Sequence, residues 1–310
     1  MIKVAVQMDP LNNLDVKNDS TLAIIEEAIK KKFEVYVYDV KTLSLIDNEP
    51  CALAKKVNKI DINSKNPMPT HKHSWIKLNR FDFILIRQDP PFNMQYITAT
   101  HILEKAKNSI IINDPKSVRN SPEKLLVMDF YDLMPPTLIT RNVEKISTFL
   151  KEYKKIIIKP LFGNGGKDIF YVTEKDHNFN VIIENFLSGF EHIIIQKFIK
   201  KVKFGDKRVL LIDGEPVGAV NRVPNKKEIR ANLHIGGLAR KTILNEKDIK
   251  ICDRLRPLLK ETGLFFAGID IIDGYLTEIN VTSPTCIREI DYLNKTNISS
   301  IFWTEALKKI

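Results

Sequence analysis

The sequence predicts an α/β protein that begins with a doubly wound parallel sheet and continues into a second unit rich in hairpins. Strand-like and helix-like runs alternate up to about residue 113, which is the pattern of a parallel sheet covered by helices. Beyond residue 120, strand-like runs follow one another through Gly-rich or Asp-Gly turns, which indicates antiparallel hairpins. We therefore expect a boundary between residues 1–120 and 121–310.

Four strand-like runs and a helix define the first unit. β-Branched and aromatic residues fill runs at 2–7, 34–39, 81–87 and 110–113. Asp19 and Ser20 form a helix start, since apolar residues then recur at helical spacing. Loops rich in proline and polar residues directly follow three strands, at residues 9–10, 87–91 and 113–115. The carboxyl ends of parallel strands share one edge, so a binding edge is expected there, with ordinary proline turns as the alternative for each single loop.

The second unit begins at Ser121 and Pro122, where a proline at the first helical position predicts a helix start. Strands over 155–159 and 169–172 enclose a glycine loop and form a hairpin whose tip exposes backbone N–H groups. Further strands are expected at 193–196 and 209–212, a helix at 249–259 and a last hairpin at 264–281. Residues 221–237 are polar and lack periodicity, which predicts a mobile loop or lid.

Composition and charge exclude several classes of protein. The 310 residues are 44% hydrophobic and 28% charged, as in folded, water-soluble proteins. No apolar run reaches membrane-spanning length and the N-terminus is strand-like rather than a signal peptide, so we expect a cytoplasmic protein without a membrane partner. The three cysteines and six histidines form no disulfide framework or metal pattern. The net charge of +10 comes from dispersed lysines without interleaved aromatic residues, which argues against nucleic acid as a partner.

The last predicted hairpin carries the strongest chemical signal. Asp270 lies within an otherwise apolar strand, and Glu278 and Asn280 lie two apart on the returning strand, hence on one face. Burying a carboxylate without a partner is costly, so these side chains need a common ligand. Carboxylate and amide oxygens suit Mg²⁺, which takes one or two carboxylates together with substrate phosphates. The sequence therefore predicts a magnesium site that also takes phosphate groups.

The shared site depends on the register of that hairpin. A plain two-residue turn at Asp273–Gly274 would pair Asp270 with Thr277 and turn Glu278 to the opposite face. A three-residue loop centred on Gly274, or a β-bulge, would pair Asp270 with Glu278 instead. We expect that odd-length loop or a bulge, with Gly274 in the left-handed conformation.

Other residues are suited to phosphate groups. Lys159 ends a strand and Lys124 opens a helix, so both can reach a phosphate at an element end. The glycine loop at residues 163–166 can cover phosphates with N–H groups, although it lacks the spacing and the Lys-Ser/Thr ending of a P-loop. Three arginines can neutralise a transferring phosphoryl group: Arg208, Arg222 and Arg230.

In this order, the lysines, the glycine loop, a hinge strand and the Asp…Glu-x-Asn hairpin resemble the ATP-grasp superfamily. Over nearly its whole length the chain resembles the bacterial glutathione synthetases within it. The most specific segments are residues 8–10 (MDP), 87–92 (RQDPPF), 206–209 (DKRV) and 276–289 (LTEINVTSPTCIRE). The resemblance implies an ATP-grasp fold over residues 121–310, with the nucleotide between an ATP-binding lobe, 121–200, and a C-terminal lobe, 201–310, that carries the lid at 221–237. Residues 1–120 would form a substrate domain.

The resemblance also implies residue roles. The Mg²⁺ or Mn²⁺ ligands would be Asp270, Glu278 and Asn280. Nucleotide contacts would come from Lys124, Lys159, Gly163, Gly165, Gly166, Gln196, Lys197, Phe198, Ile199 and Asp206. The phosphoryl group would face Arg208 and Arg222, with Arg230 on the lid. The peptide substrate would contact Lys17, Ser20, Arg87, Asn232, Thr282, Ser283, Pro284 and Thr285.

The activity implied is ATP-dependent ligation of γ-glutamylcysteine to glycine through an acyl phosphate, by a homotetramer or homodimer. Four residues depart from the family pattern: Lys167, Asp168, Tyr171 and Leu238. Two alternatives remain, namely a sister ATP-grasp ligase such as a glutamate ligase, and a non-catalytic nucleotide-binding module. Cys286 has no evident base beside it, which favours a packing role.

Overall fold

The structure is a computed structural model that describes residues 1–69, 71–163, 165–225 and 228–310, without the side chain of residue 234. These residues form three sheets and nine α-helices. The first 120 residues contain β1 Lys3–Gln7, α1 Ser20–Lys30, β2 Glu34–Tyr38, β3 Ser44–Ile46, β4 Glu49–Val57, β5 Ser74–Lys77, β6 Phe83–Ile86, α2 Met94–Leu103, β7 Ile110–Ile112 and α3 Pro115–Asn120. Within the described ranges, no helix is long and apolar enough to cross a membrane.

The first sheet has the strand order β3-β4-β2-β1-β6-β7, with β5 paired to β4. Strands β1, β2, β6 and β7 are parallel, which confirms the prediction for this part of the chain. The antiparallel β3, β4 and β5 were not predicted. The sequence of β4, EPCALAKKV, is rich in alanine and lysine, which are depleted in strands. Positive φ angles at Asp47 and Asn48 form the tight turn that joins β3 to β4.

The second sheet has the order β10-β9-β11-β8 and is covered by two helices. Its elements are β8 Thr137–Thr140, α5 Val143–Tyr153, β9 Lys155–Pro160, β10 Phe170–Thr173, α6 Phe179–Leu187 and β11 Ile193–Lys197. The antiparallel β9–β10 pair confirms the hairpin predicted around the glycine loop. This unit has a hydrophobic core of its own, built from Ile146, Leu150, Ile156, Ile158, Val172, Ile183, Ile193 and Ile195.

The third sheet has the order β14-β13-β12-β15-β16 and is antiparallel. Its strands are β12 Asp206–Ile212, β13 Glu215–Val223, β14 Leu238–Lys241, β15 Phe266–Ile272 and β16 Tyr275–Asn280. The remaining helices are α4 Glu123–Leu126, α7 Glu246–Glu261, α8 Ile287–Asn294 and α9 Ile298–Ala306. Buried side chains of the first and third sheets belong to common cores, to which α4 also contributes. The Trp303 indole on α9 donates a hydrogen bond to the carbonyl oxygen of Ile24 on α1, at 2.9 Å.

The β15–β16 hairpin contains a β-bulge that pairs Asp270 with Glu278. Ile272 pairs with Tyr275 around a two-residue turn in which Asp273 and Gly274 have φ angles of 53° and 77°. The register then shifts between Asp270 and Ile271, so that Asp270 pairs with Glu278. The three-residue loop is therefore wrong, whereas the bulge and the left-handed Gly274 are confirmed. The extra residue is Thr277, whose hydroxyl donates to the Asp270 carbonyl at 3.1 Å.

Two boundaries differ from the prediction. The first three residues of the expected lid, 221–223, belong to β13, because they pair with β14 on one edge and the first two also pair with β12 on the other. Leu233–Ile235 within the lid form a 3₁₀ turn, and Lys226 and Lys227 lie outside the described residues. Pro122 precedes the first helical residue, Glu123, instead of occupying the first helical position.

Candidate active site

A cavity of about 650 Å³ lies where elements of all three sheets meet. Its volume is in the range of sites for small-molecule substrates and cofactors. The first sheet contributes the loop with Asp89, the second contributes Lys159 and the segment after β11, and the third contributes the faces of β12, β15 and β16. The predicted edge loops therefore contribute only in part. Asn113 instead holds β15, because its amide donates to the Phe266 and Val281 carbonyls and its oxygen accepts from the Phe266 N–H.

Asp270 is at the centre of a buried ion-pair network. Arg208 donates from Nε to Oδ1 at 2.6 Å and from Nη2 to Oδ2 at 3.0 Å. Arg222 Nη2 lies 2.9 Å from Asp270 Oδ1 and 2.5 Å from Asp206 Oδ2. Burial would raise the pKa of Asp270, but the two guanidinium groups outweigh it and hold that pKa well below its ordinary value. Burial raises the pKa of Asp206 to about 6, against the opposing effect of Arg222.

The other two predicted metal ligands face the same cavity. Glu278 Oε1 lies 2.9 Å from Lys124 Nζ. The Asn280 amide donates to the Gly268 carbonyl at 3.2 Å and lies 3.5 Å from Asp270 Oδ2. No group of three or more His, Cys, Asp and Glu side chains forms a metal site among the described residues. Two carboxylates and one amide oxygen on one face remain a donor set that suits a divalent ion sharing its shell with phosphates.

Two lysines predicted to contact phosphates line the cavity. Lys124 is buried and donates to the Gly163 carbonyl as well as pairing with Glu278. The Lys159 ammonium group makes no hydrogen bond or ion pair with any part of the chain that the structure describes. Burial lowers the pKa of Lys159, so its ammonium group is held in the cavity at a cost to stability. Gly165 and Gly166 beside them have φ angles of 62° and 77°, a conformation that glycine adopts without strain.

The predicted hinge also lines the cavity. Lys197 ends β11, Phe198 and Ile199 follow it, and Gln196 is buried with its amide donating to the Thr137 hydroxyl at 3.0 Å. The N–H groups of Lys197 and Phe198 already donate to the Pro136 and Lys155 carbonyls. These two N–H groups are therefore not available to a ligand. Tyr171, one of the departures, packs its ring 4.6 Å from that of Phe198.

The predicted peptide-binding residues divide into two groups. Four line the cavity: Asn232, Thr282, Ser283 and Thr285. The structure does not place the other four in its wall. Lys17 is exposed. Ser20 accepts a hydrogen bond from the Ile287 N–H, and Arg87 donates to the Thr21 hydroxyl and to the carbonyl of Pro284. Arg87 therefore holds the 282–285 turn through Pro284, and Ser20 holds the first residue of α8.

The lid and the glycine loop meet over the cavity. Arg230 Nη1 donates to the Gly166 carbonyl at 2.9 Å, and its Nη2 pairs with Glu228 at 2.6 Å. A methyl group at Gly166 would lie 2.7 Å from the Asn232 amide oxygen, so the two loops are in close contact. Asn164, within the glycine loop predicted from sequence, lies outside the described residues.

Sequence reasoning missed Glu123 and Asp89, which both line the cavity. Both stand beside a residue that was assigned, since Glu123 precedes Lys124 and Asp89 lies in the 87–92 segment, and that adjacency was the available signal. Cys286 also lines the cavity and is buried, and burial raises the pKa of its thiol. A thiol in that state is a poor nucleophile, in agreement with a packing role.

Comparison with known proteins identifies relatives over the whole chain. Family models for the N-terminal domain and the ATP-grasp domain of prokaryotic glutathione synthetase match residues 2–119 and 123–295. Glutathione synthetase of Brucella melitensis is 44% identical over 307 residues, 97% of each chain, and that of Synechocystis is 39% identical, covering 98% of this chain and 99% of the relative. Among solved structures, D-alanyl-alanine synthetase A of Vibrio cholerae aligns with a TM-score of 0.64 and 15% identity over 100% and 98% of the two chains. D-cycloserine synthetase DcsG aligns with a TM-score of 0.66 and 13% identity over 97% and 99%. These two likenesses show the fold alone.

Proposed function

The chain belongs to the prokaryotic glutathione synthetases, and we propose that it ligates γ-L-glutamyl-L-cysteine to glycine with ATP, giving glutathione, ADP and phosphate. The observation that carries the proposal is a single cavity in which Lys124 and Lys159 face the Asp270–Glu278 hairpin, beside the turn at residues 282–285. Cations for phosphates, oxygens for a divalent ion and a recess for a second substrate are the parts that such a ligase needs.

The reaction requires positioning and charge neutralisation more than covalent catalysis. The terminal phosphoryl group of ATP passes to the C-terminal carboxylate of the dipeptide and forms an acyl phosphate. The glycine amine attacks the acyl carbon, phosphate leaves, and the amine nitrogen loses a proton. Lys124 and Lys159 hold the phosphates, while Arg208 and Arg222 neutralise the transferring group. No side chain of the protein needs to form a covalent bond with substrate.

We propose that Asp270, Glu278 and Asn280 hold Mg²⁺, or Mn²⁺ in its place. Their oxygens share one face of the hairpin, and Lys124, Arg208 and Arg222 already balance the two carboxylates. When bound, the ion supplies neutralisation of the phosphate oxygens. Arg208 and Arg222 hold the pKa of Asp270 well below its ordinary value, so this carboxylate is ionised at neutral pH and ready to act as a ligand.

An acyl phosphate hydrolyses in water, so the cavity must exclude water during the reaction. We propose that the segment from residue 224 to residue 237 is the lid that does so. The contact between Arg230 and the Gly166 carbonyl supports this proposal, because it joins the lid to the loop over the phosphates. Asp206 and residues 196–199 are then the nucleotide contacts on the adenosine side, and the units 1–120 and 121–310 are the substrate and ATP-grasp domains.

An omission assay tests the activity. Purified protein is incubated with ATP, γ-glutamylcysteine, glycine and Mg²⁺, with each left out in turn, and phosphate and glutathione are measured. Equal amounts of both products, with glutathione absent after any omission, are expected. A panel of other amines and acceptor acids checks the substrates. Product from a different pair, at a higher kcat/KM than glycine with γ-glutamylcysteine, would instead identify a sister ligase.

Assembly and location are also proposals. We propose a homotetramer or homodimer, as the family resemblance implies, and light scattering of the purified protein tests it. ATP as co-substrate favours a cytoplasmic location, which fractionation of the source cells tests.

A further inference from the structure

Glu123, to which none of the assigned roles extends, makes an unusual set of contacts beside the cavity. It is the first residue of α4. Its Oε1 atom accepts from the Thr282 hydroxyl at 2.7 Å, the Val281 N–H at 3.2 Å and the Thr282 N–H at 3.3 Å. One carboxylate oxygen therefore fixes the backbone immediately after Asn280, where β16 ends and the 282–285 turn begins.

The same turn is held from its other side by the first sheet. Arg87 Nη2 donates to the Pro284 carbonyl at 2.9 Å, and the Ser283 hydroxyl donates to the Arg87 carbonyl at 3.3 Å. Lys124, the neighbour of Glu123, contacts both Glu278 and the Gly163 carbonyl. Two adjacent residues of α4 therefore connect the two parts of the cavity. Glu123 contacts the start of the 282–285 turn, and Lys124 contacts the side proposed to bind phosphates.

We propose that Glu123 is a positioning residue that sets the 282–285 turn, and with it the dipeptide carboxylate, relative to the phosphoryl group and the incoming amine. The inference rests on the proposed function. A displaced turn still permits ATP to bind, since the Lys124 and Lys159 contacts remain. The acyl phosphate is then poorly aligned with the amine, and water attacks the acyl carbon instead, returning the carboxylate and releasing phosphate without an amide bond.

Two substitutions distinguish the effect of the length of the Glu123 side chain from the effect of its charge. Glu123→Gln keeps the length of the side chain and an oxygen that accepts the same three donors, but it removes the negative charge. Glu123→Asp keeps the charge, but it withdraws the carboxylate by one carbon, too far to reach all three donors. Glu144→Gln is the matched control, because Glu144 also lies in the first turn of a helix, α5, but is exposed and outside the cavity.

The measured quantity is phosphate released per glutathione formed, together with KM for each substrate. Glu123→Gln and the control are expected to keep a ratio near one. Glu123→Asp is expected to raise the ratio and to lower kcat for glutathione by roughly tenfold to a hundredfold, as small misplacements of reactants do, while KM for ATP stays within about twofold.

Three results would overturn the inference. The first is a Glu123→Asp variant whose ratio and kcat equal those of the wild type. The second is a Glu123→Gln variant with a larger loss of kcat than Glu123→Asp. The third is an equal rise in KM for ATP and in KM for the dipeptide in both variants. Thermal unfolding reports whether each variant folds. If Glu123→Asp does not fold, a raised ratio in Glu123→Gln overturns the inference, because the proposed role rests on contacts that this variant keeps. Wild-type protein that makes no glutathione contradicts the proposed function, and is therefore distinguishable from a failure of this inference.

Discussion

At the scale of single residues, the site consists of charges that the chain itself has largely neutralised. Asp270 is 4% exposed, yet three hydrogen bonds from Arg208 and Arg222 keep it ionised. Breaking one member of such a buried network costs more than breaking a surface pair, because the remaining charge is left without a partner. Substitutions here must therefore be read by activity and by stability together.

Glu278→Gln is expected to reduce phosphate release by about a hundredfold or more, because it removes a carboxylate from the ligand set and the partner charge of Lys124. Glu144→Gln serves as its control. Circular dichroism should show an unchanged fold in both. Turnover at the wild-type rate in Glu278→Gln would rule out Glu278 as a ligand.

Lys159→Met is expected to raise the midpoint of thermal unfolding and to raise KM for ATP by about tenfold or more. A buried ammonium group without a partner destabilises the folded state but is well placed for phosphate. The lowered pKa of Lys159 also means that the unfolded chain binds the additional proton. Stability of the wild type should therefore rise with pH between that lowered pKa and the ordinary value, and Lys159→Met should lack this rise. A variant with lower stability and an unchanged KM would contradict both points.

At the scale of secondary-structure elements, Asn113 joins the first sheet to the β15–β16 hairpin. Its side chain satisfies the Phe266 N–H and the carbonyls of Phe266 and Val281 in a buried position. Asn113→Ala is expected to lower the free energy of unfolding by about 3 kcal/mol, since buried groups without a partner cost about 1–3 kcal/mol each. Urea unfolding measures it, with exposed Asn108→Ala as the control. A loss no larger than that of the control would show that water replaces the side chain.

Elements with strong local patterns were predictable. The bulged hairpin followed from the parity of Asp270 and Glu278, and the parallel strands from their apolar runs. Strand β4 was not predictable from propensity, because its alanines and lysines are held by neighbours on both edges. Arg87 and Ser20 were assigned to substrate from sequence, and their contacts with Pro284 and Ile287 could not be predicted, because these partners are distant in sequence. Their contact with substrate stays a prediction.

At the scale of the whole molecule, the hydrophobic cores separate one part of the chain from the rest. Buried side chains of the first and third sheets pack in common cores, whereas those of the second sheet pack in a core of their own. We expect native-state hydrogen exchange to show the second sheet, residues 137–197, opening at lower free energy than the rest. Bound ATP analogue should slow exchange there most, because binding stabilises the lobe that contacts the ligand. Uniform protection across all three sheets would contradict this division.

The arginine–aspartate network also determines how the site responds to salt. With Arg208, Arg222 and Asp270 paired inside the chain, the two arginines proposed to face the transferring phosphoryl group are buried and held in place before a nucleotide arrives. When ATP binds, its phosphate oxygens join Asp270 as counterions of the two arginines. Mobile ions from the solvent then contribute little to the free energy of ATP binding. Affinity for ATP should consequently change little with ionic strength, unlike that of a site built from solvated surface lysines, whose attraction is screened within about 10 Å at 0.1 M salt.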